Sequence, residues 1–328
     1  MPILLGDLMF VDSGYYKVAI DSKDDADFRF VSHAHSDHTA GIRNGDKILA
    51  SSITAQLLSA KGKSVETLEI PKGAELLNAG HVLGSRQLFI ENYETGLDIA
   101  YTGDYQMAEP LLAEKIETRH ADVVILDSTY PYENLVFDDK NEVVTAIQHY
   151  VNSKINFGSI IFKAYSLGRA QELIKIMNEI GIVPTVSEEI AKLSKVYVAN
   201  GIRLYYSACE PGHELKGNFV GIFTNSDSEK IAKAMASNSR RFFTAVATGW
   251  AKIFKFNTNV QFALSDHADF RQATEYIAEV DPKAIIPVGT GAEILAKRLI
   301  KLGYNAFDSE SLKAYEMLSR KPTISIVE

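Results

Sequence analysis

Three imidazoles and a carboxylate fall within six residues, His33-Ala34-His35-Ser36-Asp37-His38, directly after a short apolar stretch at residues 28–32. If that stretch is a strand, its side chains alternate, and His33 and His35 leave the sheet on the same side. Neutral imidazole is a zinc ligand at about 2.0–2.1 Å, and a chain with eight His in all places three of them here. Asp37 and His38 follow where the chain turns through Ser36, with a helix expected from near Thr39, so they face a second ion beside the first. Two ions about 3.5–4 Å apart can stabilise both the attacking and the leaving oxygen of a hydrolysis. Such a centre needs further donors, which strands ending in His or Asp would supply.

Several segments fit. Residues 9–12 and 16–21 read as strands joined through Ser13-Gly14. Asp21 ends the second strand, where its carboxylate can accept the free N–H of a ligating imidazole and fix the tautomer; an ordinary surface Asp at a strand end is the alternative. His81 sits in the glycine-bracketed turn Ala79-Gly80-His81-Val82-Leu83-Gly84-Ser85, well placed as a third ligand to the first ion. Residues 87–93 and 97–101 read as a hairpin ending in Thr102-Gly103-Asp104, and Asp104 is expected to bridge both ions. The continuous apolar run at 122–126 reads as a buried strand that delivers Asp127.

Composition narrows the class. With 328 residues and 46% hydrophobic content, the chain suffices for two domains or one domain with a large insertion. The single Cys209 excludes an intramolecular disulfide and a cysteine-based zinc site, and it fits a reducing interior. A start without a basic n-region, and no apolar run of spanning length, point to a cytoplasmic protein with no membrane role. The net charge of −8 argues against a polyanionic partner. However, residues 131–258 hold 15 Lys and Arg against 12 Asp and Glu, while the remainder holds 19 against 30. A mildly basic middle in an acidic frame fits a phosphate-binding wall opposite a carboxylate-rich metal site, although so small an excess also arises by chance.

Taken together, His-Ala-His-Ser-Asp-His, Gly-His81-Val-Leu-Gly-Ser, Thr-Gly-Asp104 and Leu-Asp127-Ser-Thr-Tyr resemble the successive motifs of the metallo-β-lactamase fold, in its β-CASP branch of nucleic-acid-processing nucleases. Ser166-Leu167-Gly168-Arg169-Ala170-Gln171-Glu172-Leu173 resembles the strand-to-helix segment of that family's inserted domain, and Leu264-Ser265-Asp266-His267-Ala268-Asp269-Phe270 its return motif. The resemblance implies an α/β protein: an αββα sandwich from residues 1–130 and 259–328, interrupted by a smaller α/β capping domain at 131–258. It also implies that His267 contacts the scissile phosphate and protonates the leaving oxygen, assisted by Asp127. A near-neutral reference pKa of about 6.5 suits that role; local capping of a helix start is the alternative for this His.

Within the middle segment, residues 141–154 and 168–180 carry helical spacing, and strands at 159–163, 218–224 and 241–248 predict a small parallel sheet. Lys163 ends one strand, and Ser166 and Arg169 stand at the start of the next helix, where backbone N–H groups already favour a phosphate. The competing reading is that Arg169 pairs with an Asp or Glu and locks the two domains. Trp250 is either a base-stacking platform or, the favoured reading, a packing anchor at the domain junction. Residues 323–327 read as an apolar edge strand able to pair with a second copy as a homodimer.

The chain departs from the family at Gly289, where RNA-processing members carry a His that completes the second metal site; a DNA-processing branch also lacks it. The second ion is thus left with Asp37, His38 and Asp104. The expected cofactor is zinc, one ion tight and one weaker, with manganese as an alternative. The expected activity is hydrolysis of a nucleic-acid backbone by metal-activated water with Asp37, His267 and Asp127 as catalytic residues, on RNA by a slight margin over DNA. Alternatives are a DNA exonuclease, a weakened RNA-binding subunit of a processing complex, and a small ester or thioester hydrolase.

Overall fold

A computed structural model of the chain describes residues 3–4, 10–23, 26–93, 96–209 and 216–307. The 323–327 stretch lies outside the described residues. The strand Val123–Asp127 shows how an unbroken apolar run arises, because it is covered on both faces. Val123 and Ile125 face a core with Val18, Ile20 and Phe30, whereas Val124 and Leu126 face a second core with Tyr276, Ile277, Leu295 and Leu299. That alternation is the two-residue period of a strand. The strand lies in a five-stranded sheet, parallel to Ala284–Val288 and Asp98–Tyr101; Arg86–Glu91 and Ala74–Asn78 continue the sheet antiparallel.

A four-stranded sheet of Ile3–Leu4, Phe10–Asp12, Lys17–Ile20 and Phe28–Phe30 supplies the first core from its side. The helices Phe270–Val280 and Ala292–Lys301 supply the second. Phe270–Val280 starts at Asp269, whose carboxylate accepts from Gln272 N (2.9 Å) and also from Phe137 N (2.8 Å). His267 therefore does not cap this helix.

The middle segment forms a wholly parallel sheet in the order Ser207–Cys209, Thr185–Ser187, Val220–Phe223, Ser159–Lys163, Phe242–Ala247, Val260–Phe262. Helix Lys140–Lys154 leads into it, and helices Arg169–Glu179, Glu188–Ala199 and Asn225–Ser237 lie between its strands, as parallel strands require crossovers. The mixed α/β class follows directly. Val260–Phe262 pairs in register with Ala245–Ala247, so this sheet extends to Phe262. The helix expected near Thr39 is absent: residues 36–41 form turns, with Thr39 N bonded to Ser36 O at 3.4 Å. No helix of the described residues is long and apolar enough to cross a membrane.

Candidate metal centre

Phe28–Phe30 ends just before the His cluster, and the sheet edge turns its side chains into a cleft of about 710 Å³. His33 and His35 come from that loop, His81 from the turn between Ala74–Asn78 and Arg86–Glu91, and Asp104 from just beyond Asp98–Tyr101. One donor atom from each of these four residues lies within 4.8 Å of all the others. His33 Nε2 is 2.9 Å from His35 Nδ1, and His81 Nε2 is 3.2 Å from the same atom. Asp104 Oδ2 lies 3.4 Å from His33 Nε2 and 3.6 Å from His81 Nε2. Three imidazole nitrogens and one carboxylate oxygen converging on a point form a zinc-type donor set. Burial lowers the pKa of His33 and His35 and brings His81 down to about 4, so these rings are neutral, as ligation requires.

The other oxygen of Asp104, Oδ1, points the opposite way, 3.2 Å from His38 Nε2, which in turn is 3.8 Å from Asp37 Oδ2. Asp104 thus stands between two donor groups. Asp37 is 76% exposed at the mouth and joins no closed four-donor cluster among the described residues. Burial opposes the charge on His38, but Asp104 and Asp21 outweigh it and raise its pKa well above the usual value. Gly289 lines the same cleft and offers no donor.

Asp21 is a hub beneath the cluster. It accepts from Ser32 N (2.7 Å), Ser32 Oγ (2.6 Å), Tyr101 Oη (2.8 Å) and the Nδ1 of His38 (2.6 Å). Ser32 Oγ also lies 3.0 Å from His33 Nδ1. Neither Ser32 nor Tyr101 was expected at the site; their polar tips beside an apolar strand were the only available signal.

Across the cleft, His267 Nδ1 lies 3.3 Å from Asp127 Oδ2, and its Nε2 lies 3.8 Å from Asp104 Oδ2. Asp127 Oδ1 is fixed by Thr129 N (3.1 Å) and Thr129 Oγ1 (2.9 Å). Burial lowers the His267 pKa, but Asp104 and Asp127, with Asp266 adding to them, raise it to about 9.

Of the three residues expected at a phosphate site, Arg169 lines the cleft. Lys163 and Ser166 are not among the residues lining the cleft, and Arg169 is 3% exposed. Its guanidinium pairs with Glu172 and, at 3.0 Å, with Asp266 Oδ1. Trp250 lines the cleft and packs on Tyr130 at 4.7 Å between ring centroids, which joins the middle segment to the strand Val123–Asp127. The charged lining is therefore Asp21, Asp37, Asp104, Asp127 and Asp266 against the engaged Arg169 and the imidazoles of His38 and His267, whose pKa values are raised. The carboxylates outnumber the cationic groups, which disfavours a phosphate until a cation offsets them, and the donor set is one that fits a metal ion.

No protein-family model matches the chain. It is 31% identical over 299 residues to a probable DNA ligase of Opitutus terrae, across 85% of this chain and 28% of that protein. It is 27% identical over 199 residues to cleavage and polyadenylation specificity factor 73 of Drosophila melanogaster, across 48% of this chain and 28% of that protein. It is 22% identical over 283 residues to the 5' exonuclease Apollo of Danio rerio, across 79% of this chain and 48% of that protein. The chain thus spans between about a quarter and half of the length of these relatives.

Proposed function

This chain belongs to the β-CASP group of the metallo-β-lactamase fold, and on that premise we propose that it is a metal-dependent phosphodiesterase acting on nucleic acid. The observation that carries the proposal is the convergence of His33, His35, His81 and Asp104 within 4.8 Å, opposite the His267–Asp127 pair. In this reading the two face-to-face sheets are the sandwich, and the six-stranded unit is a cap over its metal edge. A bound metal ion supplies Lewis-acid polarisation of the phosphoryl group and an acidified water.

The chain's own groups then have separate tasks. Asp37, exposed at the mouth, is the acceptor for the proton of the attacking water. His267 donates from the cleft side to the departing oxygen. Asp127 holds the ring through Nδ1, so that Nε2 faces the reacting atoms. Asp21, through Ser32 and His38, keeps the imidazoles oriented.

The choice of polymer turns toward DNA. RNA is the slight expectation from sequence, and the relative named for cleavage and polyadenylation supports it across 48% of the chain. The relative named as a probable DNA ligase aligns with most of the chain, so we favour DNA ends, trimmed in the same setting in which strands are joined. Gly289 is compatible with that branch. End-labelled single-stranded DNA and RNA, offered to one preparation with zinc or manganese, test both readings. Metal-dependent shortening of DNA ahead of RNA is expected; RNA cleaved preferentially reverses the choice, and neither polymer cleaved by metal-loaded protein ends the nuclease reading.

A further inference from the structure

The outward nitrogens of the four clustered imidazoles are held in two different ways. His33 Nδ1 meets Ser32 Oγ, and His38 Nδ1 meets Asp21, both from the same edge of the four-stranded sheet. His35 and His81 instead meet residues from outside that sheet. His35 Nε2 lies 3.2 Å from the carbonyl oxygen of Leu167, so it donates there and leaves Nδ1 free for an ion. His81 Nδ1 lies 2.9 Å from the carbonyl oxygen of Asp266, and donation there leaves Nε2 free. Asp266 is itself gripped by Arg169, whose other nitrogen is bonded to Glu172. Between these contacts stands Gly168, with φ +80; a Cβ there would lie 2.7 Å from Val82 Cγ1, beside His81. The cap loop approaches the ligand turn more closely than any side chain allows.

We infer that the cap loop 166–169 is part of the metal centre, and that Arg169 is a positioning residue that sets metal affinity through Asp266 and His81 rather than a contact for substrate phosphate. The inference rests on the metal-centre reading above. An imidazole that loses the partner of its outward N–H loses its preferred tautomer and orientation, which typically weakens metal binding 10–100-fold. Linkage makes the effect reciprocal: an ion at the cluster tightens the docking of the cap loop by the same factor.

The test is zinc affinity of the full chain, by competition with a chromophoric chelator, together with the visible spectrum of the Co²⁺-loaded protein. Arg169→Ala alone would leave Glu172 and Asp266 buried and uncompensated, so it is paired with Glu172→Gln. Gly168→Ala changes no charge and displaces the loop from Val82. Each variant is expected to bind zinc about 10–100-fold more weakly and to shift the Co²⁺ bands, and Arg169→Lys, which keeps a cation beside Asp266, to recover part of the loss. A residue that merely supports the fold would lower the melting point of the metal-free protein and leave both readouts unchanged. Folded variants with zinc affinity within about twofold of the unmodified chain overturn the inference.

One measurement needs no variant: amide exchange at residues 166–170 should slow on adding zinc, and unchanged exchange there counts against the inference. If the unmodified chain binds no zinc at all, it is the metal-centre reading that fails.

Discussion

Gly289 gives the sharpest quantitative test of the second metal position. Its φ is +90, and a Cβ built on it would meet only Asp127 Oδ1 at 3.6 Å and Ser128 Oγ at 3.8 Å. There is room for a side chain; the obstacle is the backbone. An L-residue at that φ lies beyond the left-handed well at about +50 to +70°, a strain of roughly 1–3 kcal/mol. At about 2.1 cal/mol/K per residue, the 328-residue chain has an unfolding entropy near 0.7 kcal/mol/K, so the strain lowers Tm by about 1.5–4 °C if the chain melts as one unit.

Gly289→Ala carries the strain without a donor, and Gly289→His carries the same strain with an imidazole beside the metal cleft. In a chelator both should melt about 1.5–4 °C below the unmodified protein. With zinc at ten times the dissociation constant of a restored site, the His variant should regain about 1.4 kcal/mol and show a second equivalent by elemental analysis. The unmodified protein should hold nearer one equivalent than two after dialysis. An Ala variant that melts with the unmodified protein in chelator refutes the strain argument, and a His variant that holds no more zinc than the Ala variant refutes the ligand geometry.

Three further outcomes are expected. His35→Ala should abolish metal-dependent cleavage and the tight zinc equivalent while leaving the far-UV circular dichroism unchanged; undiminished turnover would end the metal-centre reading. Asp127→Asn should lower kcat by at least about tenfold, because the ring of His267 loses its orienting carboxylate, with zinc content unchanged; a loss of zinc instead would make Asp127 a ligand. Asp21→Ala leaves the buried donors Ser32 N, Ser32 Oγ and Tyr101 Oη without an acceptor and should cost about 2–4 kcal/mol in urea unfolding of the metal-free protein; a cost below about 1 kcal/mol would mean that water replaces the carboxylate.

What could be read from the sequence divides along the distance over which each interaction acts. The ligand cluster was legible because three of its His are adjacent in the chain, and Asp104 and Asp127 because each stands where an apolar strand gives way to polar residues. Strand pairing is less local. The run 260–264 announces a strand, yet nothing in its own residues says that it joins Phe242–Ala247 rather than the four- or five-stranded sheet. The polar run after Ser36 holds no helical apolar period, so expecting a helix there leaned on the turn alone, and Gly41 at φ +69 keeps the chain turning. Arg169 marks the limit. Its residue type fits a phosphate and a carboxylate equally well, and the carboxylate its guanidinium meets, Asp266, lies on a loop distant in sequence. The same holds for the outward nitrogens: Ser32 and Asp21 lie close to the imidazoles they hold, whereas the partners of His35 and His81, Leu167 and Asp266, stand 132 and 185 residues away in the chain, and so a donor set that looks local in sequence depends on the whole fold.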